Sequence, residues 1–162
     1  MRGLVAGLAL LAAGCGDGDG LGPVDDLRAY RTALEPVVQE VSAVEAEVIE
    51  RAVGSANVAT AANLDAVYRQ VRPRLLETLV ELDRIAPPPQ LEELHGEIRA
   101  MIILRLDAYA LVMRGYAAGD ASLYPLAEDK LHGANALVPD INQRLCAVDV
   151  ALGDRDDCRI LS

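Results

Sequence analysis

The sequence predicts an all-α protein, an antiparallel up-down-up-down four-helix bundle with proline-kinked helices. Between residues 24 and 152, apolar residues recur at intervals of three and four, which is the period of amphipathic helices. Short connections containing glycine or proline divide this region into four long segments. The valine-rich stretches keep the helical period instead of the alternation typical of strands. Long helices joined by short connections are expected to pack antiparallel.

The first helix is expected to begin near Val24, because the next two residues are aspartates and carboxylates are favourable at the positive end of a helix dipole. Pro36 lies inside the apolar stripe, which continues in phase after it, so this proline should bend the helix and not end it. The helix is expected to close at Gly54-Ser55-Ala56-Asn57. Its stripe consists of Leu27, Tyr30, Leu34, Val37, Val41, Val44 and Val48.

The second helix is expected to begin around Thr60 and to run, with Ile85 on its inward face, to the three prolines at 87–89. Pro73 is a second interior proline. The third helix is predicted from about Gln90 to Ala118. Its apolar face is the widest of the four, so it should be the most buried helix.

The fourth helix is expected to start after Ser122, following a turn at 119–120. Pro125 lies in its first turn, where proline is tolerated because the missing N–H has no helical partner there. Pro139 is interior and should bend the helix. A polar tail follows the last apolar residues of this helix.

The first fifteen residues are typical of an export signal. One positive charge, Arg2, is followed by an apolar run and by small residues before Cys15. The run is too short to span a bilayer, which needs about 20 apolar residues. Its last five residues, Leu11-Ala12-Ala13-Gly14-Cys15, resemble a bacterial lipobox. That resemblance implies a lipoprotein whose Cys15 carries a diacylglyceryl group. The alternative is an ordinary cleaved signal peptide with an incidental cysteine.

This resemblance divides the chain into three parts. Residues 1–14 are the lipoprotein signal peptide, 15–23 are the lipidated cysteine with a flexible Gly/Asp linker, and 24–162 are the four-helix bundle. Two or three acyl chains, such as palmitate, give a stable membrane anchor. Gly16, in place of aspartate after the cysteine, favours the outer membrane over the inner membrane by resemblance to enterobacterial lipoproteins. The expected location is therefore the cell envelope, with the protein held there by its lipid anchor.

Charge and cysteine content narrow the possible partners. The formal net charge of −10 argues against nucleic acid, whose phosphates are bound by lysine and arginine. With Cys15 lipidated, Cys146 and Cys158 remain, and an exported compartment permits a disulfide between them. This bridge would contribute on the order of 3 kcal/mol and hold the polar tail against the last helix.

Metal binding is the main chemical question that a helical bundle raises. Glu92 and His95 form a Glu-x-x-His pair on the third helix, and Glu128 lies one turn before His132 on the fourth. In an antiparallel bundle the two histidines should be roughly 20 Å apart along the axis, which excludes one dinuclear site. Two separate sites stay open, but each has at most two ligands nearby, so structural roles are expected. No cofactor is predicted.

Other chemistry has little support in the sequence. Met101 and Met113 lie at core spacing, and no methionine of the first helix is available for haem. Arg105 and Arg72 interrupt apolar faces. They are expected to reach outward to flanking carboxylates, and the alternative is that they are buried arginines. The residues from Ile85 to Leu91, followed by His95, resemble a helix junction of small helical bacterial lipoproteins. No activity comes with that resemblance.

Two functions are therefore expected in order. The first is a non-enzymatic envelope module that binds another envelope protein through an exposed apolar stripe. The alternative is a carrier of a small ligand or metal in a cavity of the bundle. The carrier predicts a pocket with interior polar groups near Arg105, Tyr109 or His132.

Overall fold

The computed structural model describes residues 20–53 and 59–154, and these are almost entirely helical. A π-helical turn continues the first helix, and a 3-10 turn precedes the third. The predicted all-α class and the four-helix bundle are confirmed, with no strand in the described ranges. The elements are α1 (Val24–Val48), the π turn (Ile49–Val53), α2 (Ala61–Leu82), the 3-10 turn (Pro89–Leu91), α3 (Glu92–Ala118) and α4 (Leu123–Leu152).

The end of α2 differs from the sequence prediction. The helix starts directly after Thr60, whose hydroxyl accepts a hydrogen bond from the Asn63 N–H at 3.2 Å. It ends at Leu82, several residues before the prolines, and Ile85 lies beyond it, half-buried against the core. The N–H groups of Arg84 and Ile85 bond to carbonyls only three residues back. The spacing of apolar residues does not reveal this change in hydrogen bonding, because Ile85 still packs against the core after the helix has ended.

Interior prolines do not interrupt the helices. Pro36, Pro73 and Pro139 each lie inside a continuous helix, as the uninterrupted apolar stripes predict. The bends expected at these prolines stay predictions. The predicted end of the first helix at 54–57 lies outside the described residues. The π turn that follows α1 was not predicted, because nothing in the apolar period distinguishes it.

Contacts between helices show which ends meet. Arg31 near the start of α1 donates to Asp149 near the end of α4, with an Nε–Oδ1 distance of 2.8 Å. Arg144 in the second half of α4 donates to Glu93 at the start of α3 at 2.7 Å. In both pairs an early residue of one helix meets a late residue of the other. Such contacts are expected between neighbouring helices that run antiparallel.

The core consists of aliphatic side chains and a few tyrosines, since the chain has neither phenylalanine nor tryptophan. Of the four helices, α3 has the largest set of buried residues, as predicted. α4 packs extensively on α3 but contacts α1 only over a short stretch. The seam between α1 and α4 is therefore the least tightly packed side of the bundle.

Candidate functional site

A cavity of about 490 Å³ lies between α1 and α4, in the half of the bundle where α1 ends. We call it the distal cavity, and all four helices contribute to its wall. Its volume is in the range of small-ligand sites, roughly 300–1,000 Å³. Its wall consists of Glu45, Val48, Ile49, Tyr68, Arg105, Tyr109, Leu131, Asn135, Val138 and Pro139.

Two irregularities of the backbone coincide with the distal cavity. The π turn begins at the wall residue Ile49, and π-helical turns are rare and frequent at functional sites. On α4, Pro139 has no N–H, so the carbonyl of Asn135 lacks its usual helical donor four residues later. Both Asn135 and Pro139 line the cavity. The π turn after α1 and Pro139 on α4 therefore both depart from regular α-helical hydrogen bonding beside the distal cavity.

A buried ion pair forms the polar part of the wall. Glu45 of α1 pairs with Arg105 of α3, and the two residues are only 6% and 5% exposed. Arg105 also donates from Nη2 to Asn135 Oδ1 at 3.4 Å. The Nε of Arg105 has no hydrogen-bond partner among the described residues. Burial lowers the pKa of this guanidinium, an effect that Tyr109 opposes. An arginine nevertheless stays protonated at neutral pH, because its ordinary pKa is so high.

Two stacked tyrosines form the aromatic part of the wall. The rings of Tyr68 and Tyr109 are nearly parallel, at an angle of 13°, with 3.9 Å between their centroids. Burial raises the pKa of both phenols, while the charge of Arg105 acts in the opposite direction on Tyr109. Both rings are therefore neutral at physiological pH. Together with the aliphatic residues they make most of the wall apolar.

A second, smaller cavity of about 300 Å³ adjoins the first. We call it the side cavity; it shares Tyr68 and Leu131 with the distal cavity. Glu128 is its one charged lining residue, and the others are small, aliphatic or aromatic. Its wall consists of Ala59, Ala61, Leu64, Tyr68, Val112, Tyr124, Ala127, Glu128 and Leu131.

The histidines considered for metal binding are not brought together. His95 is half-buried, and its Nδ1 lies 3.3 Å from the hydroxyl of Tyr30 on α1. Burial lowers the pKa of His95, against an opposite effect of Asp83. Its neighbour Glu92 is exposed, as are His132 and Glu128 on α4. Within 20–53 and 59–154, no three histidine, cysteine or acidic side chains are grouped so that they could hold a metal ion.

The prediction for Arg105 is wrong in one respect. Its guanidinium does not reach outward to flanking carboxylates but stays in the core, where Glu45 is its partner. Arg72, the other arginine singled out, is only partly buried and does not line the distal cavity. Arg105 and Tyr109 do lie together in a cavity wall, as the carrier hypothesis predicts, whereas His132 lies outside it.

Glu45 and Asn135 were missed by the sequence analysis. A signal for Glu45 was present, because it lies four residues after Val41 and three before Val48 on the apolar stripe of α1. A carboxylate at such a position must be paired when it is buried. The sequence cannot name the partner, because Arg105 is sixty positions away on another helix.

The cysteine predictions are tested only in part. Cys146 lies on α4, is partly buried and is disulfide-bonded. Its predicted partner Cys158 lies outside the described residues, as does Cys15, so the pairing and the lipidation stay predictions.

Comparisons leave the family of this chain undefined. No protein-family model, curated protein or solved structure matches it. Among the helices of the described ranges, none combines the length and the apolar character needed to cross a membrane.

Proposed function

We propose that this protein is a lipid-anchored carrier of the bacterial cell envelope that binds a small, mostly apolar ligand in the distal cavity. The observation that carries the proposal is the buried Glu45–Arg105 pair in the wall of an otherwise apolar cavity. A buried ion pair often contributes no more stability than well-packed apolar residues would. Its presence beside a cavity is therefore better explained by recognition of a polar group than by stability.

The distribution of exposed apolar side chains supports the carrier hypothesis better than the protein-interaction hypothesis. A docking stripe should be a continuous row of exposed apolar side chains. The large exposed apolar side chains of the described residues are instead distributed over several elements. Leu76 and Val80 are one turn apart on α2, and the others are Val24, Ile49, Tyr116, Leu126 and Val150.

The proposed anchor would place the cavity away from the membrane. A lipid on Cys15 is connected through the linker to the start of α1 at Val24. The distal cavity involves the last residues of α1 and the beginning of the π turn, roughly 30 Å further along the bundle. The distal cavity is therefore in the half of the bundle opposite the attachment of the proposed anchor. We propose no catalysis, because the wall residues include no serine, cysteine or histidine.

Photolabelling tests this function on the whole lipidated chain in vesicles. A decane derivative with a diazirine should label peptides that contain wall residues of the distal cavity. Val138→Phe narrows the cavity and should reduce this labelling by about tenfold, the equivalent of about 1.4 kcal/mol. Val150→Phe is the matched control, since Val150 is an exposed residue of the same helix and is not in the wall. Equal labelling of the wall in both variants would refute the proposal.

A further inference from the structure

The distal cavity and the side cavity share two wall residues, Tyr68 and Leu131. All the charged groups of the distal cavity, Glu45 and Arg105, belong to the ion pair, while the side cavity is almost entirely apolar. A ligand that occupies both spaces must therefore be polar at one end and aliphatic along the rest. Its shape must be elongated, because the two spaces have different walls apart from these two shared residues.

The charge of the ligand head is restricted by the ion pair. Glu45 and Arg105 are both about 95% buried and neutralise each other. A carboxylate head would bring a second negative charge next to Glu45, and an ammonium head would bring a second positive charge next to Arg105. Either charge would lie against a mostly apolar wall without a counter-ion of its own, which is unfavourable. An uncharged head avoids this cost.

Hydrogen-bonding groups remain for such an uncharged head. The Nε of Arg105 is a buried donor with no partner among the residues described here. The carbonyl of Asn135 is an acceptor that lacks its usual helical donor because of Pro139. A hydroxyl or a primary amide offers both a donor and an acceptor, so it can serve both groups.

We infer that the ligand is an elongated aliphatic molecule with an uncharged hydrogen-bonding head, such as a long-chain alcohol or amide. The head contacts Arg105 and Asn135, and the chain passes Tyr68 and Leu131 into the side cavity. The Glu45–Arg105 pair acts as the charge filter that rejects fatty acids and alkylamines. This inference rests on the proposed function.

Head selectivity is tested with three diazirine probes of equal chain length, an alcohol, a carboxylate and an alkylammonium. The whole lipidated chain in vesicles is labelled at neutral pH. Wild-type protein should be labelled at the wall about tenfold more by the alcohol than by either ion. Glu45→Gln leaves Arg105 unpaired and should shift the ratio at least about tenfold toward the carboxylate. Arg105→Gln should shift the labelling ratio toward the alkylammonium probe. Wild-type and variant proteins are compared in the same vesicles, so differences in how the probes partition into the membrane do not affect the change in this ratio.

A charge-swapped double variant keeps the test decisive if the single variants fail to fold. The double variant Glu45→Arg, Arg105→Glu keeps one buried pair with no net charge. Labelling by every probe should fall because the Arg105 donor is lost, but the alcohol should still label the wall more than either ion does. Wall labelling that does not depend on the head charge in any folded variant would overturn the charge filter and leave the proposed function intact. Loss of wall labelling by all probes, including the headless decane probe, would overturn both.

Chain extension is tested by closing the side cavity. Ala61→Phe places a large ring in its wall, while Ala62→Phe is the matched control at the next, exposed position. With Ala61→Phe, labelling by a tetradecyl alcohol should fall by several fold relative to labelling by a hexyl alcohol. The control should leave the ratio unchanged. An unchanged ratio in both variants would show that the chain does not enter the side cavity.

Discussion

Two arginine–carboxylate contacts involve opposite halves of α1, and they differ in their surroundings. Near the start of α1, Arg31 pairs with Asp149 of α4 and also with Glu35 one turn along its own helix. This is the proximal contact, where the two helices meet directly. In the other half, Glu45 pairs with Arg105 of α3, and a cavity separates α1 from α4.

The two contacts differ in how many partners each charge has and in how deeply it is buried. The Arg31 side chain is 17% exposed and has two carboxylate partners, one of them partly solvated, so it keeps a partner when Asp149 is lost. In the distal pair both side chains are almost fully buried, and each has the other as its ionic partner among the described residues. Removing either one leaves a charge in the wall of an apolar cavity.

The largest effect is expected for the distal pair. Arg105→Leu should lower the free energy of unfolding by about 3–5 kcal/mol, because the Glu45 carboxylate stays buried without its partner. Adding Glu45→Leu should recover most of this loss, since both charges are then gone. Urea unfolding of the single and double variants measures the coupling. If the two single changes simply add, the pair does not behave as a buried ion pair, and the contrast with the proximal contact disappears.

A smaller effect is expected at the proximal contact. Asp149→Asn removes the charge that accepts from Arg31 at 2.8 Å, while Glu35 stays in place. The loss should be about 1.5–3 kcal/mol, the usual value for a hydrogen bond to a charged group. The same urea experiment, with Asp129→Asn at an exposed position of the same helix as the control, measures this loss. A loss larger than that of Arg105→Leu would reverse the comparison between the two regions.

The last effect is confined to alkaline pH and concerns Tyr30, which precedes Arg31 of the proximal contact in the sequence. Burial raises the pKa of this phenol from its ordinary value to about 12. The native state therefore keeps a proton that the unfolded state loses above pH 10. Stability from this group should be fully present below pH 10 and should fall by about 1.4 kcal/mol per pH unit between 10 and 12.

Tyr30→Phe supplies the comparison for this pH effect. Thermal unfolding from pH 9 to pH 12 should show a shallower decline in the variant, because phenylalanine cannot ionise. Ultraviolet absorbance at the tyrosinate band follows the same proton in the folded wild-type protein. Identical pH profiles for the two proteins would mean that the Tyr30 hydroxyl is hydrated rather than buried beside His95.

The sequence predicted the helices well because their signals are local. The apolar period, the acidic first turn of α1 and the threonine before α2 located three helix starts within about two residues. The end of α2 was predicted too late, since Ile85 still contacts the core after the backbone has left the helix. The candidate site was predicted in outline, through Arg105 and Tyr109, because a charge on an apolar face is visible in the sequence.

The sequence by itself determined the all-α class and the apolar face of each helix, because both follow from the spacing of residues along one helix. The tertiary structure decided that Arg105 finds Glu45 in the core and that a cavity opens between α1 and α4. Both depend on how closely helices distant in sequence approach each other, which the period of one helix does not specify. Where α4 contacts α1, Arg31 completes a packed interface. Where the two helices stand apart, Arg105 lines a cavity.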